Sequence, residues 1–167
     1  MIRQDYAQLS ILTDLDNRQL RQLSPFLLEH QFPKDCVIFE QGQPAENLFI
    51  LQTGEVVVRY KPYDGPPLNI AHIAPGRVFG WSSALRRDIY TSDAIALQDS
   101  VAYSIRGSNL QVIYANYPET GKILLERLAS DIAEELRSTH AQVLEMLTQG
   151  INLNGINSKR SSYDERK

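Results

Sequence analysis

Between Cys36 and Ile105 the chain is built of short apolar runs, each stopped by a turn that carries glycine or proline, at roughly ten-residue spacing. That punctuation allows few folds. Helices of three turns do not fit between such stops, and the runs are too short to be anything but strands. Cys36 to Phe39 forms one strand and Gly42-Gln43-Pro44 a turn. Leu48 to Leu51 is continuously apolar, as a strand buried on both faces requires. Thr53-Gly54-Glu55 leads into Val56 to Tyr60, the loop Pro62 to Pro67 into Leu68 to Ile73, and Ala74-Pro75-Gly76 closes that unit. Ala94 to Leu97 and Val101 to Ile105 are expected to pair across Gln98-Asp99-Ser100. Many short strands in such a series close into a barrel or jelly roll.

Helical spacing flanks this region on both sides. Leu9, Leu12, Leu15, Leu20, Leu23 and Leu27 recur at intervals of three to five. They suit two short helices separated near Asp14 to Asn17, with Asp14 and Asp16 as caps and Pro33 ending the run. After the strands, Ser108 or Asn109 caps a short helix carrying Leu110 and Ile113, which stops at Pro118. Glu119 to Leu147 has no proline and no glycine after Gly121, so it is the longest helix. Leu124, Leu128, Ile132, Leu136, Val143 and Leu147 run along it at spacings of four and seven, a stripe fit to pack on the barrel, on a partner helix, or on both. Gly150 is expected to end it and the polar remainder to be a flexible tail. The expected organisation is N-terminal helices over residues 1–35, a β-barrel over 36–106, C-terminal helices over 107–149 and a tail over 150–167. The fold class is thus mainly β with flanking α, a double-stranded β-helix (jelly-roll barrel) with N-terminal helices and a long C-terminal helix.

Size and charge narrow the function. At 167 residues the chain is one domain's worth of polypeptide. A net charge of −3 supplies no overall basic field for nucleic acid or anionic lipid. No apolar run reaches the ~18 residues that cross a bilayer, and MIRQDYAQLS has no signal-peptide stretch, so the cytoplasm is expected. The single cysteine, Cys36, excludes an internal disulfide and a multi-cysteine metal site; within Cys36-Val37-Ile38-Phe39 it reads as a buried small apolar residue, with a redox-active thiol as the alternative.

Three stretches are specific: Phe39 through Leu51 (FEQGQPAENLFIL), then Thr53-Gly54-Glu55-Val56, then Ile73 through Leu85 (IAPGRVFGWSSAL). Together they resemble the cyclic nucleotide-binding domain of catabolite-activator-type regulators, kinase regulatory subunits and nucleotide-gated channels. The resemblance covers roughly residues 8 to 147. It implies a cytoplasmic, dimeric sensor or regulatory module whose long helix carries the dimer seam, at Leu124, Leu128, Ile132, Leu136, Val143 and Leu147.

It also implies a pocket. In that family the segment after Phe79-Gly80 turns its amides toward a cyclic phosphate, the next residue is a Glu for the ribose hydroxyl, and an Arg further on pairs with the phosphate. Here the Glu position holds Trp81 and the Arg position Tyr90, followed by Thr91 and Ser92. Both charged contacts are missing. Arg86 or Arg87 either swings into the pocket as a substitute or stays solvated on a loop. Ser82, Ser83, Tyr90, Thr91 and Ser92 offer neutral hydroxyls. Trp81 either stacks on a flat ring or fills the ribose space and closes the pocket. On the long helix, Ser138, Thr139 and His140 lie where relatives present hydroxyls to the base, or else sit on an exposed face. The expected function is a stand-alone sensor binding an atypical small ligand or none and signalling to a downstream protein. Open beside it stand a true cyclic AMP or cyclic GMP receptor using Arg86 or Arg87, and a dimerisation scaffold with a closed pocket.

Other classes fit poorly. Only about twenty polar residues follow the long helix, too few for a winged helix-turn-helix, so no direct DNA binding is expected of this stretch. His30, His72 and His140 are scattered, and metal-binding barrels need them clustered. His72, alternating with Leu68 and Ile70, reads as a satisfied barrel histidine. No nucleophile elbow, catalytic triad order or phosphate loop is present, so neither a catalytic residue nor a metal is expected.

Overall fold

The computed structural model of the protein describes residue 6 and residues 8–161, apart from the side chains of 142, 143 and 146 and of everything from 150 onward. A 3-10 turn, Ser10–Leu12, precedes helix α1 (Asn17–Leu23). Asp16 caps α1 in a reciprocal box: its carboxylate accepts from the Gln19 amide at 2.8 Å, and its own N–H donates to Gln19 Oε1 at 3.0 Å. The helical run ends at the 3-10 turn Ser24–Phe26, which contains Pro25, and strand β1 (Leu28–Phe32) begins before Pro33. The barrel thus starts ahead of residue 36. Leu-Glu-His-Gln-Phe carries no clear period, and its strand form rests on pairing with the strand Ser100–Arg106, far along the chain.

Seven further strands follow: β2 (Val37–Phe39), β3 (Asn47–Thr53), β4 (Val56–Tyr60), β5 (Leu68–Ile73), β6 (Val78–Phe79), β7 (Asp93–Ala96) and β8 (Ser100–Arg106). They form two antiparallel four-stranded sheets, in the orders β1-β8-β3-β6 and β2-β7-β4-β5. This is the jelly roll that the turn spacing implies. Gly42, Gly54, Gly76 and Gly80 all have positive φ. At Gly54 (φ +96°) nothing larger fits, because a Cβ would come within 2.7 Å of the Asp99 carbonyl oxygen.

That contact corrects the expected β7–β8 hairpin. The two strands lie in different sheets: β7 pairs with β2 and β4, β8 with β1 and β3. Residues 97–99 carry the chain from one sheet to the other, beside the β3–β4 corner that does the same. Ser100 Oγ joins the corners, bonding the Gln98 and Glu55 backbone. A short polar link looks the same in sequence whether it reverses a strand or switches sheets. His72 is, as expected, a barrel residue with a hydrogen-bond partner. It lies on the outer face of β5, exposed, with Nδ1 3.1 Å from Glu55 Oε1. Cys36 precedes β2 and is half-buried rather than buried.

β3 explains why its run is continuously apolar. Leu48 and Ile50 face a core formed with the helices, while Phe49 and Leu51 face the interior of the roll. Each such side chain stabilises the fold by about 2 kcal/mol through burial. Helix α2 (Gly107–Asn116) has its N-cap at Arg106 and no capping side chain, so neither Ser108 nor Asn109 caps it. Helix α3 runs Pro118–Ser161 and passes through Gly150, which corrects the expected stop and tail. One glycine costs a helix about 1 kcal/mol, whereas extending a formed helix needs no new nucleus. Residues 162–167 lie outside the described residues. Among the described residues no helix is long and apolar enough to cross a membrane.

The expected helix stripe divides in two. Leu124 and Leu128 are buried in the chain's own core, which leaves them no surface for a partner. Leu136 and Leu147 are exposed and Ile132 is half-buried, while the Val143 side chain lies outside the described residues. Steps of four residues advance 40° round a helix beyond each full turn. The spacing therefore spirals from the buried Leu124 to the exposed Leu136.

Candidate functional site

A cavity of about 330 Å³ lies between the mouth of the roll and α3. The chain enters it from β6 through Gly80, whose φ of +71° turns the backbone where a Cβ would press within 3.1 Å of the Phe39 ring. Residues 81–86 then coil through successive turns, with the Leu85 N–H donating to the Trp81 carbonyl at 3.0 Å and the Arg87 N–H to the Ser82 carbonyl at 2.9 Å. This coil brings Trp81, Ser82, Leu85 and Arg87 to the cavity wall.

Tyr90 forms the inner wall with its ring, stacked on Phe39 at 3.8 Å between centroids. Its hydroxyl is already engaged twice, donating to the Asn47 carbonyl at 2.7 Å and accepting from the Asn47 N–H at 3.1 Å. Burial raises the phenol's pKa above its ordinary value, against the Asn47 backbone bond and with the help of Glu46. Tyr90 therefore offers a ligand its ring face and not the expected hydroxyl. Thr91 and Ser92 follow it along the wall.

Helix α3 closes the opposite side with Ile132, Leu136 and Thr139. The Thr139 hydroxyl donates to the Ile70 carbonyl at 3.4 Å. Ser138 and His140, by contrast, are exposed, and Ser138 does not line the cavity. Phe79 is also absent from the wall, buried against Phe39 and Phe49. Ser83 donates to the Gly80 carbonyl at 3.1 Å and, like Arg86, lines a different cavity. Trp81 is half-buried against the helix-side core and leaves the cavity open beside it, which corrects the closed-pocket reading.

Several wall residues escape a sequence reading. Phe39, Val58, Ile70 and Ala71 come from strands β2, β4 and β5, and only roll closure aims them at one point. Ile132 and Leu136 had a role as seam residues but none as cavity wall. Arg77 is a further case. From the turn before β6 its guanidinium reaches Asp131 at 3.5 Å, Glu134 at 3.2 Å and Glu135 at 3.9 Å, while Ser10 Oγ also bonds Asp131. This cluster ties α3 to the segment that leads into the cavity. Burial raises the Glu135 pKa, Arg77 opposes that, and Glu134 and Asp131 add to it.

The site is thus an apolar cup at the end of β6, walled by the coil after Phe79-Gly80 and lidded by α3. The family model of the cyclic nucleotide-binding domain matches residues 29–117. The chain belongs to the cyclic nucleotide-binding domain family.

Its curated relatives include a CRP-like cAMP-activated global transcriptional regulator of Mycobacterium tuberculosis, 24% identical over 141 residues. The match takes in 84% of this chain and 61% of the relative, so the chain spans about three-fifths of that protein's length. Among solved structures, a cyclic nucleotide-binding domain from Methylobacillus flagellatus superposes with a TM-score of 0.77 at 22% identity, covering 87% of this chain and 82% of that one. A mutant regulatory subunit of a cAMP-independent protein kinase A from Trypanosoma brucei, bound to cAMP in its A site, gives a TM-score of 0.69 at 18% identity, over 86% of this chain and 49% of that one. Among the described residues the cavity is lined by one charged residue, Arg87, and by no carboxylate.

Proposed function

We propose that this domain is a ligand-sensing regulatory module rather than an enzyme, working as a homodimer through α3 and signalling to a partner protein. Its ligand is a small, largely apolar molecule with one negative charge, in place of cyclic AMP or cyclic GMP. The observation that carries this reading is the makeup of the cavity wall. Among the described residues Arg87 is the only charged one in the lining, the ribose-carboxylate position is Trp81, and the phosphate-arginine position is a tyrosine with its hydroxyl committed to Asn47. Losing one partner of a desolvated charge pair costs about 2–5 kcal/mol, roughly thirty- to several-thousand-fold in affinity. Ile132, Leu136 and Thr139 join the wall to α3, so occupancy and helix position are coupled.

Trp81, the sole tryptophan, lines the cavity and reports on it directly. Titration with anilinonaphthalene sulfonate, an aromatic monoanion, is expected to quench Trp81 fluorescence at micromolar concentration, and Arg87→Gln to weaken it about tenfold or more. Cyclic AMP, cyclic GMP and cyclic di-GMP are expected to bind much more weakly. A second reading, a true cyclic mononucleotide receptor, is favoured by Arg87 alone, since Arg86 does not line this cavity. Micromolar cyclic AMP binding lost in Arg87→Gln would establish it. No response to any of these probes would leave a dimerisation scaffold.

A further inference from the structure

Across the 82–88 segment lies a second cavity, of about 420 Å³, that shares only Arg87 with the first. Arg86, Arg87 and Arg106 line it, brought together from the coil after β6 and from the end of β8. None of the three forms an ion pair among the described residues, although Glu46 and Asp88 lie on the same wall. Three arginines against two acidic residues leave this wall a net positive charge, which a bound anion would neutralise. Their planar forks suit the oxygens of phosphate, which they bind in pairs. Ser108 adds a hydroxyl, and the first turn of α2, which no side chain caps, meets the same wall.

We infer that this second cavity is a binding site for a small free phosphate-bearing anion of the diphosphate class, separate from the sensor cavity. The arginines come from two separate elements, the coil after β6 and the end of β8, so each side can hold one phosphate group, which is why the diphosphate class is named. Arg87 can serve one anion at a time, so occupancy of either cavity lowers the affinity of the other, by the same factor in both directions.

Calorimetric titration of the full chain with pyrophosphate at low ionic strength tests the site. Binding is expected, falling with added salt and weakened about tenfold or more by Arg106→Gln. Lys122→Gln, the same charge change at an exposed position of α3, is expected to leave it unchanged. Arg106 is exposed and lines only the second cavity, so Arg106→Gln should keep the wild-type melting temperature and the wild-type response of Trp81 to anilinonaphthalene sulfonate. Failure here is thereby distinct from failure of the sensor reading. Absence of heat at millimolar pyrophosphate would overturn the inference, as would equal weakening by Lys122→Gln. So would co-sedimentation with phosphatidylglycerol vesicles that pyrophosphate does not compete away. Saturating pyrophosphate is expected to weaken anilinonaphthalene sulfonate binding several-fold, and fully independent binding of the two would refute the sharing of Arg87.

Discussion

Replacing Leu125 and Leu136 by glutamate is expected to turn the proposed dimer into monomers. Leu124 and Leu128 are used up in the core, and the face one residue further round carries Leu125, Ala129, Ile132, Leu136 and Thr139, of which Leu125, Ala129 and Leu136 are exposed while Ile132 and Thr139 are half-buried at the cavity wall. Their spacing of four, three, four and three is that of a two-helix seam. Leu125 is 51% exposed and Leu136 56% exposed in the single chain. Full burial of a leucine stabilises by about 1.5–3 kcal/mol, so covering the remaining half contributes about 1 kcal/mol. Two leucines from each of two chains then contribute about 4 kcal/mol, roughly a thousandfold in the dissociation constant. The entropy cost of association is the same for wild type and variant, so it drops out of the difference. Sedimentation velocity at tens of micromolar should show the variant at half the wild-type mass, with an unchanged far-ultraviolet spectrum because both side chains are already exposed. A wild type that sediments as a monomer, or a variant of unchanged mass, would refute the seam. The pair Leu128 and Ile132, by contrast, is a poor choice: Leu128 is buried, and a glutamate there would unfold each chain rather than separate the dimer.

Tyr90→Phe should cost about 1–3 kcal/mol in urea unfolding by leaving the Asn47 amide and carbonyl unpaired. Anilinonaphthalene sulfonate affinity should stay the same, since the hydroxyl does not serve the cavity; a large loss of affinity would contradict that placement. Gly54→Ala should cost about 3 kcal/mol, combining a left-handed backbone with overpacking against the Asp99 and Ser100 backbone. A melting temperature close to wild type would mean that the two sheet-switching corners do not touch. Glu135 binds its proton more tightly in the folded chain than in the unfolded one, since burial disfavours its charge. Its contribution to stability is therefore present below the ordinary glutamate pKa and is lost as pH rises through the higher folded value. Glu135→Gln should flatten that fall and raise the melting temperature at neutral pH. A variant less stable than wild type at pH 7, with the same slope, would show that the Arg77 pairing outweighs burial.

The order of elements was legible because it depends on local chemistry. Glycines at turns, a continuous apolar run at Leu48 to Leu51 and an Asp16 cap three residues before Gln19 each dictate conformation within a few residues. From those, together with the Phe39 to Leu51 and Ile73 to Leu85 stretches, the jelly roll, its family and the position of the pocket segment follow. Which strands share a sheet does not, because a sheet-switching corner and a hairpin are made of the same small polar residues. That is why β7 and β8 read as partners. Nor can sequence alone say which way a side chain on a turn or a long helix faces. Trp81 lines an open cavity, Arg87 borders both cavities while Arg86 borders only the second, and Tyr90 commits its hydroxyl to Asn47, all through contacts between residues distant in the chain. The sequence alone determined the secondary elements and the residue types available for binding. Only closure of the roll against α3 decided which of them meet, because direction in space is set by packing between remote segments, and no local pattern encodes it.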